Sequence, residues 1–313
     1  MKYWHCVISA ALCCLSGTAI VHADESGYTS QDCCEPQYCE SECRKLTYSP
    51  FRINVEGFVG DQIGGDNENG AVELFSALPS LINECWLPFV DLKWHHLGSS
   101  NSWAANAGVG LRCLDPWDRT IGINVFYDHR YSRETEFNQI GFGLESLGEI
   151  IDVRINGYFP FKKTTETAVL FNDYIGDYFV EASQEWLSMT GFDLELGCTV
   201  FNNGLFGIYA AAGPYYYYNT QDELYFPRKN FWGGMARIAV QCTDYLSLEV
   251  KASYDTMFKT KVQGELQLTL PFEKCFELCK WTSDACANIF LKPVERREVI
   301  VLHHSDILWL GNY

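Results

Sequence analysis

Apolar and polar residues alternate in run after run from Phe51 to Phe272. In the stretch GINVFYDHRY, Ile123, Val125 and Tyr127 share one side, and Asn124, Phe126 and Asp128 the other. The next run sets Ile140, Phe142 and Leu144 against Gln139, Gly141, Gly143 and Glu145. Leu194, Leu196 and Cys198 oppose Asp193, Glu195 and Gly197, and Leu248 and Val250 oppose Glu249 and Lys251. A period of two belongs to strands with two unlike faces. It predicts about twelve strands, at 52–60, 71–78, 87–95, 102–113, 118–128, 136–146, 149–159, 189–200, 204–213, 230–241, 245–255 and 258–270. Most are close to the length of about 9–11 residues that a tilted membrane-crossing strand needs.

The connections sort by parity. One set is short (114–118, 146–149, 201–204, 243–245), apart from a somewhat longer segment around Pro79 to Trp86. The other holds 61–70, 96–101, 129–135, 160–188 and 214–229, including the two longest. Outer-membrane barrels show this asymmetry. A barrel of about twelve strands is too wide for side chains to fill. An apolar lumen would then be a large dry void, so the apolar rows must face outward, into lipid. The predicted fold is all-β, an antiparallel up-and-down transmembrane β-barrel. A soluble exported β-sandwich, with two apolar faces meeting, is the competing arrangement. In the barrel, Arg112, Asp152, Arg154, Glu195, Glu249 and Lys251 are lumen-facing charges that can pair across the interior. Glycines on the same rows (Gly108, Gly110, Gly141, Gly143, Gly197) suit close packing or a threaded segment.

Composition narrows the partners. A net charge of -17 over 313 residues makes nucleic acid an unsuitable one. Mean hydropathy is -0.11, and no run after the N-terminus approaches the length of a spanning helix. Lys2 followed by VISAALCCLSGTAIV and Val21-His22-Ala23 reads as a signal peptide over 1–23. A Cys-rich N-terminal tail over 24–50, a barrel over 51–272 and a post-barrel segment over 273–313 complete the division. Of 14 cysteines, Cys6, Cys13 and Cys14 lie in the signal and eleven remain. Export favours disulfides. Cys33, Cys34, Cys39, Cys43, Cys275, Cys279 and Cys286 are the candidates, with disulfide-linked envelope proteins as candidate partners. The spacing in CCEPQYCESEC is not that of a zinc ribbon and no His lies close by, so no metal is predicted there. Leu266, Leu268, Leu270 and Phe272 resemble the closing-strand signal read by the barrel-assembly machinery.

The stretch GINVFYDHRYSRETEFNQIGFGLE, followed by IIDVRINGYFPF, resembles the β-domain of the inverse autotransporters, the intimin and invasin family. Gly122, Asn124, Phe126 and Asp128 match its G-x-N-x-F-x-D strand. Gly141, Gly143 and Glu145 match G-x-G-x-E, and Asn156, Gly157 and Tyr158 match N-G-Y. AGVGLR, GFDLELGC and LKPVERREVIVL resemble further segments in the correct order. Gln139 stands where the family usually has a basic residue, Arg297-Glu298-Val299 replaces an Asn-rich stretch, and Leu302-His303-His304 replaces L-E-Y. The resemblance implies a bacterial outer-membrane anchor and export fold whose post-barrel segment, from Lys292, occupies the lumen. With no passenger before Tyr313, it does not imply an adhesin, and the host receptor is unknown. A porin-like channel, with that segment in the periplasm, is the alternative.

No cofactor and no enzyme activity are predicted. Asp128 and His129 are adjacent in a strand and point to opposite faces, as do His95-His96 and His303-His304. No Gly-rich phosphate loop or nucleophile elbow is present. The aromatic run Tyr215 to Tyr218 is assigned to a girdle at the membrane interface.

Overall fold

We describe a computed structural model of the chain. It describes residues 44–45, 51–64, 67–78, 86–98, 102–114, 119–132, 135–161, 165–175, 178–203, 206–219, 230–243, 245–271, 277–278 and 291–312. The signal peptide, nearly all of the N-terminal tail and the seven candidate disulfide cysteines lie outside them. The described residues belong to one compact unit, Pro36–Tyr313.

Every described element is a strand: β1 (Arg44–Lys45), β2 (Phe51–Gly60), β3 (Glu68–Ala77), β4 (Trp86–Leu97), β5 (Trp103–Leu114), β6 (Thr120–Ser132), β7 (Thr135–Leu147), β8 (Ile151–Phe161), β9 (Thr165–Ile175), β10 (Tyr178–Ser188), β11 (Thr190–Asn202), β12 (Gly207–Tyr218), β13 (Asn230–Thr243), β14 (Leu246–Asp255), β15 (Lys259–Pro271), β16 (Glu277–Leu278) and β17 (Leu302–Asn312). Twelve of them close a barrel in the order β11-β12-β13-β14-β15-β2-β3-β4-β5-β6-β7-β8. Closure runs through β15 on β2, from Gln263↔Gly60 to Pro271↔Arg52, and through β11 on β8, from Gly191↔Tyr158 to Cys198↔Ile151. β1 pairs with β16.

The apolar rows face outward. Ile123, Val125 and Tyr127 are 54%, 43% and 45% exposed, whereas Asn124, Phe126 and Asp128 are buried. The same holds for Phe142 and Leu144 on β7, Leu248 and Val250 on β14, and Leu266, Leu268 and Leu270 on β15, all exposed. With water this surface would be costly; in lipid it is what a closed barrel requires. The sandwich is overturned, because closure leaves one sheet whose apolar face has no second sheet to meet.

Three expectations need correction. The span 160–188 is not a loop. It holds β9 and β10, which leave the barrel as a hairpin and form a three-stranded sheet with β17. β12 runs on to Tyr218, so the tyrosine run is divided between faces. Tyr215 and Tyr217 are buried inside with Met189, Phe231 and Val301, while Tyr216 stacks outside on Trp232 at 4.7 Å. Only the outer pair resembles a girdle. Loop parity is also weaker than expected. β6 and β7 are separated by 133–134 and β14 and β15 by 256–258, both on the side that carries the long connections 162–189 and 219–229.

Candidate functional site

β6, β7 and β8 carry the family-motif residues. Gly122, Asn124, Phe126 and Asp128, then Gly141, Gly143 and Glu145, then Asn156 and Tyr158, all face the interior, and Gly157 is on the outward row. The glycines make room. A Cβ on Gly143 would strike the Asn124 amide, and one on Gly197 the Tyr209 hydroxyl. Strand alternation alone puts these residues on one wall.

Five of the six charges named from the sequence lie in one chain of ion pairs, and Arg112 pairs separately. Arg112 pairs with Glu145 at 2.6 Å. Arg154 stands between Asp152 (3.2 Å) and Glu195 (3.0 Å). Glu195 continues to Arg237 (2.7 Å), Arg237 to Glu249 (2.7 Å), Glu249 to Lys251 (2.9 Å), and Lys251 to Glu265 (3.2 Å). Arg237, the hub, was missed because the alternation of β13 is blurred by small residues in NFWGGMARIAVQ. Lys93, which pairs with Glu56 at 2.7 Å, was missed with it. Charges out of water are held only where partners saturate them.

Residues 291–301 contact this wall along their whole length. Leu291 and Lys292 meet it at the end of the short turns. There Arg52 donates to the Leu291 carbonyl (2.5 Å), Arg112 to the Lys292 carbonyl (2.7 Å), and Lys292 pairs with Asp152 (2.9 Å). In the middle Asn156 donates to the Glu295 carbonyl (3.2 Å) and Glu295 pairs with Arg237 (3.2 Å). Arg296 makes a two-pronged contact with Asp128, at 2.7 and 2.5 Å, and lies over the Phe126 ring at 4.3 Å. A Cβ on Gly141 would meet the Arg296 guanidinium at 2.6 Å, so the glycine clears its seat. The Arg297 amide donates to the Tyr158 hydroxyl (2.7 Å), which in turn donates to Asp193 (2.7 Å). Glu298 pairs with Lys93 (2.9 Å), and Asn106 donates to its carbonyl (2.7 Å). At the far end Arg130 donates to the Ile300 carbonyl (2.6 Å), and the Met189 amide to that of Val301 (3.0 Å).

An extended segment has no partner strand for its carbonyls, and buried ones must still be satisfied. Here side chains of the wall do this. Gln139, where the resemblance expects a base, donates to Asp128 at 3.0 Å, and the cation that Asp128 receives is Arg296. The connection after β2 folds onto the same segment. Gly64 has φ +90°, and a Cβ there would meet the Val301 Cα at 2.7 Å, so only glycine fits. Its carbonyl accepts from Arg130 and from the Leu302 amide.

Apolar clusters flank these polar contacts. Leu291 and Val294 pack with Phe75, Phe89 and Phe126. Val299 packs with Leu97, Ile300 and Leu302 with Phe137 and Trp186, and Val301 with Tyr158 and Tyr217. A cavity of about 110 Å³ lies beside the segment, lined by Glu295, Glu298, Lys251, Ala252 and Gln263 among others. β17 then pairs along β10 from Ser188↔Leu302 to Tyr178↔Asn312. Burial pushes the His303 imidazole down to about 4, and His304 beside it adds to the effect.

Asp128 and His129 do not meet: Asp128 goes to Arg296, and His129 contacts Asn138 at 3.1 Å. Cys113, Cys198 and Cys242 are partly buried on β5, β11 and β13.

The family model described as "Inverse autotransporter, beta-domain" matches residues 54–200. No curated protein matches. Among solved structures, a chain from work on the in-meso crystallization of membrane proteins aligns over 82% of this chain and 99% of its own, with a TM-score of 0.57 and 17% identity. The NanC porin aligns over 72% and 100%, with a TM-score of 0.40 and 10% identity. The β domain of the Bordetella autotransporter BrkA aligns over 72% and 100%, with a TM-score of 0.35 and 8% identity. The first is a likeness of fold; the other two are distant.

Proposed function

We propose, from the match of residues 54–200 to the inverse autotransporter β-domain model, that the protein is a bacterial outer-membrane anchor and export barrel, whose lumen holds its own C-terminal segment. The segment enters at the end of the short turns, crosses the lumen and emerges as β17 on the side of the long connections. Lipid surrounds the apolar rows, and the barrel-assembly machinery inserts the chain. The observation that carries this reading is the seat of Arg296. A buried bidentate contact to Asp128, an aromatic face beneath it and a glycine opposite form a socket for one guanidinium. Wall side chains that accept or donate to successive backbone groups on either side extend the socket to a groove.

The function follows from this chemistry. A segment stitched by ion pairs at its centre and by apolar clusters at both ends closes the barrel to ions, yet leaves its far end as a strand outside. Planar-bilayer recordings test the reading. The full chain conducts little, and a chain ending at Phe272 conducts at least several-fold more; equal conductance would remove the closure. A porin-like reading is favoured by the cavity of about 110 Å³ alone, and high conductance of the full chain would support it.

A further inference from the structure

One cluster where the wall meets the segment contains a histidine that none of the contacts above uses. Glu68 at the start of β3, His95 on β4 and Glu298 of the C-terminal segment each bring a ligand atom within 4.8 Å of the other two. His95 is fully buried. Its Nδ1 meets a Glu68 carboxylate oxygen, and its Nε2 meets Asn106 Oδ1 at 2.7 Å. The Asn106 amide cannot be turned round, because its nitrogen already donates to Asp128 and to the Glu298 carbonyl, both at 2.7 Å. Both ring nitrogens therefore face oxygens. A neutral imidazole has a single N–H and cannot serve both. The position is built for positive charge.

The surroundings say the same independently. Inward on β2, β3 and β4 stand the carboxylates Glu56, Glu68, Glu73 and Asp91 against the permanent cations Arg52 and Lys93. The segment adds a further carboxylate, Glu298, whose Oε2 lies 4.0 Å from His95 Nε2. Enclosed carboxylates in excess call for a proton or a cation. A cavity lined by Glu68, Glu298 and Gln263 adjoins the cluster.

We propose that Glu68, His95 and Glu298 bind a divalent transition-metal cation of the zinc type. One imidazole and two carboxylates are a donor set that zinc accepts. Binding releases the proton held at His95. Zinc–ligand distances are about 2.0–2.2 Å, so Glu68 and His95, now in direct contact, part by about an ångström to admit it. Asn106, outside the donor set, orients the ring. The metal would fasten the C-terminal segment to β3 and β4, next to the Lys93–Glu298 pair. The inference rests on the reading that residues 291–301 lie in the lumen.

The test is zinc titration by calorimetry into the full, untagged chain folded in detergent, stripped by chelator, with all thiols alkylated. Heat-shifted gel mobility checks that each variant is folded. The expected result is one zinc per chain, with affinity reduced by more than about 100-fold in His95→Ala and in Glu298→Gln, and unchanged in Asp306→Asn on β17. No zinc uptake by the wild-type chain, or equal uptake by His95→Ala, overturns the proposal. Zinc lost in His95→Ala but kept in Glu298→Gln also overturns it as stated, and places the failure in the position of the segment. Absent zinc with a poorly conducting full chain leaves the segment where it is and removes only the metal.

Discussion

On β4, β5, β6 and β8 the side chains of Lys93, Asn106, Arg112, Asp128, Arg130 and Asn156 each reach an atom of residues 292–300. Across the lumen, on β13 to β15, the polar contact found among the described residues is the ion pair of Arg237 with Glu295, Phe231 packs in the cluster of Val301, and a cavity lies beside them. The family match ends at residue 200, within β11, so it takes in the gripping wall and leaves out the other. The two walls share strand geometry and an outward apolar row. They differ in what the inward row is for. On one wall the motif residues form the surface that receives the segment. On the other, Lys251 and Glu265 pair with strand neighbours, and the Lys251 side chain keeps 41% of its exposure.

The sharpest way to break this contrast is to remove the cation that the gripping wall seats and a cation of the other wall. Arg296→Ala leaves Asp128 buried without its counter-ion and costs about 3–5 kcal/mol. Lys251→Ala removes a pair open to lumen water and costs about 1 kcal/mol or less. Urea midpoints followed by tryptophan fluorescence in detergent compare the two; equal losses would erase the difference between walls. A smaller effect is expected from Tyr158→Phe. The Arg297 amide loses its acceptor and Asp193 loses one donor while keeping Asn156 at 2.9 Å, for about 1–3 kcal/mol, read on the same curves. Loss of the ring's packing is not involved, because the ring remains.

The smallest effect concerns the sheet beyond the barrel. His303 has its folded-state pKa depressed from 6.5 to about 4 by burial. Its neutral form is the one that the β9–β10–β17 sheet accepts. The stabilisation is therefore full above about 6.5, is lost as pH falls from there toward about 4, and changes no further below. Hydrogen exchange at β17 should quicken between pH 7 and pH 4.5 while β6 stays protected. His303→Gln should remove the pH dependence at β17.

The barrel was legible because an apolar outer row and a charged inner row give each strand maximal contrast. On β6, Ile123 and Asn124 could hardly be more unlike. Where that contrast fails, the reading failed. Val169, Leu170 and Phe171 are exposed on successive positions of β9, so no face is marked and the hairpin reads as a loop. Tyr215 to Tyr218 alternate in and out, but four identical residues hide the period. The groove was legible only in half. The motif residues stand out on strands, whereas LKPVERREVIV has no period because its polar side-chain partners come from six strands at irregular spacing. The Arg296 seat could have been suspected from Gln139, the missing base beside Asp128.

The central claim is that the C-terminal segment crosses the lumen, and site-specific labelling in intact cells tests it most directly. In a chain with its native cysteines replaced by serine, single cysteines at Leu308 on β17, Asp173 on β9 and Asn203 between β11 and β12 are offered a membrane-impermeant maleimide. Leu308 and Asp173 are exposed at the end of the long connections, and Asn203 at the opposite end. The account predicts that Leu308→Cys labels in intact cells together with Asp173→Cys, while Asn203→Cys labels only after lysis. Labelling of Leu308→Cys only after lysis, alongside Asn203→Cys, would contradict it.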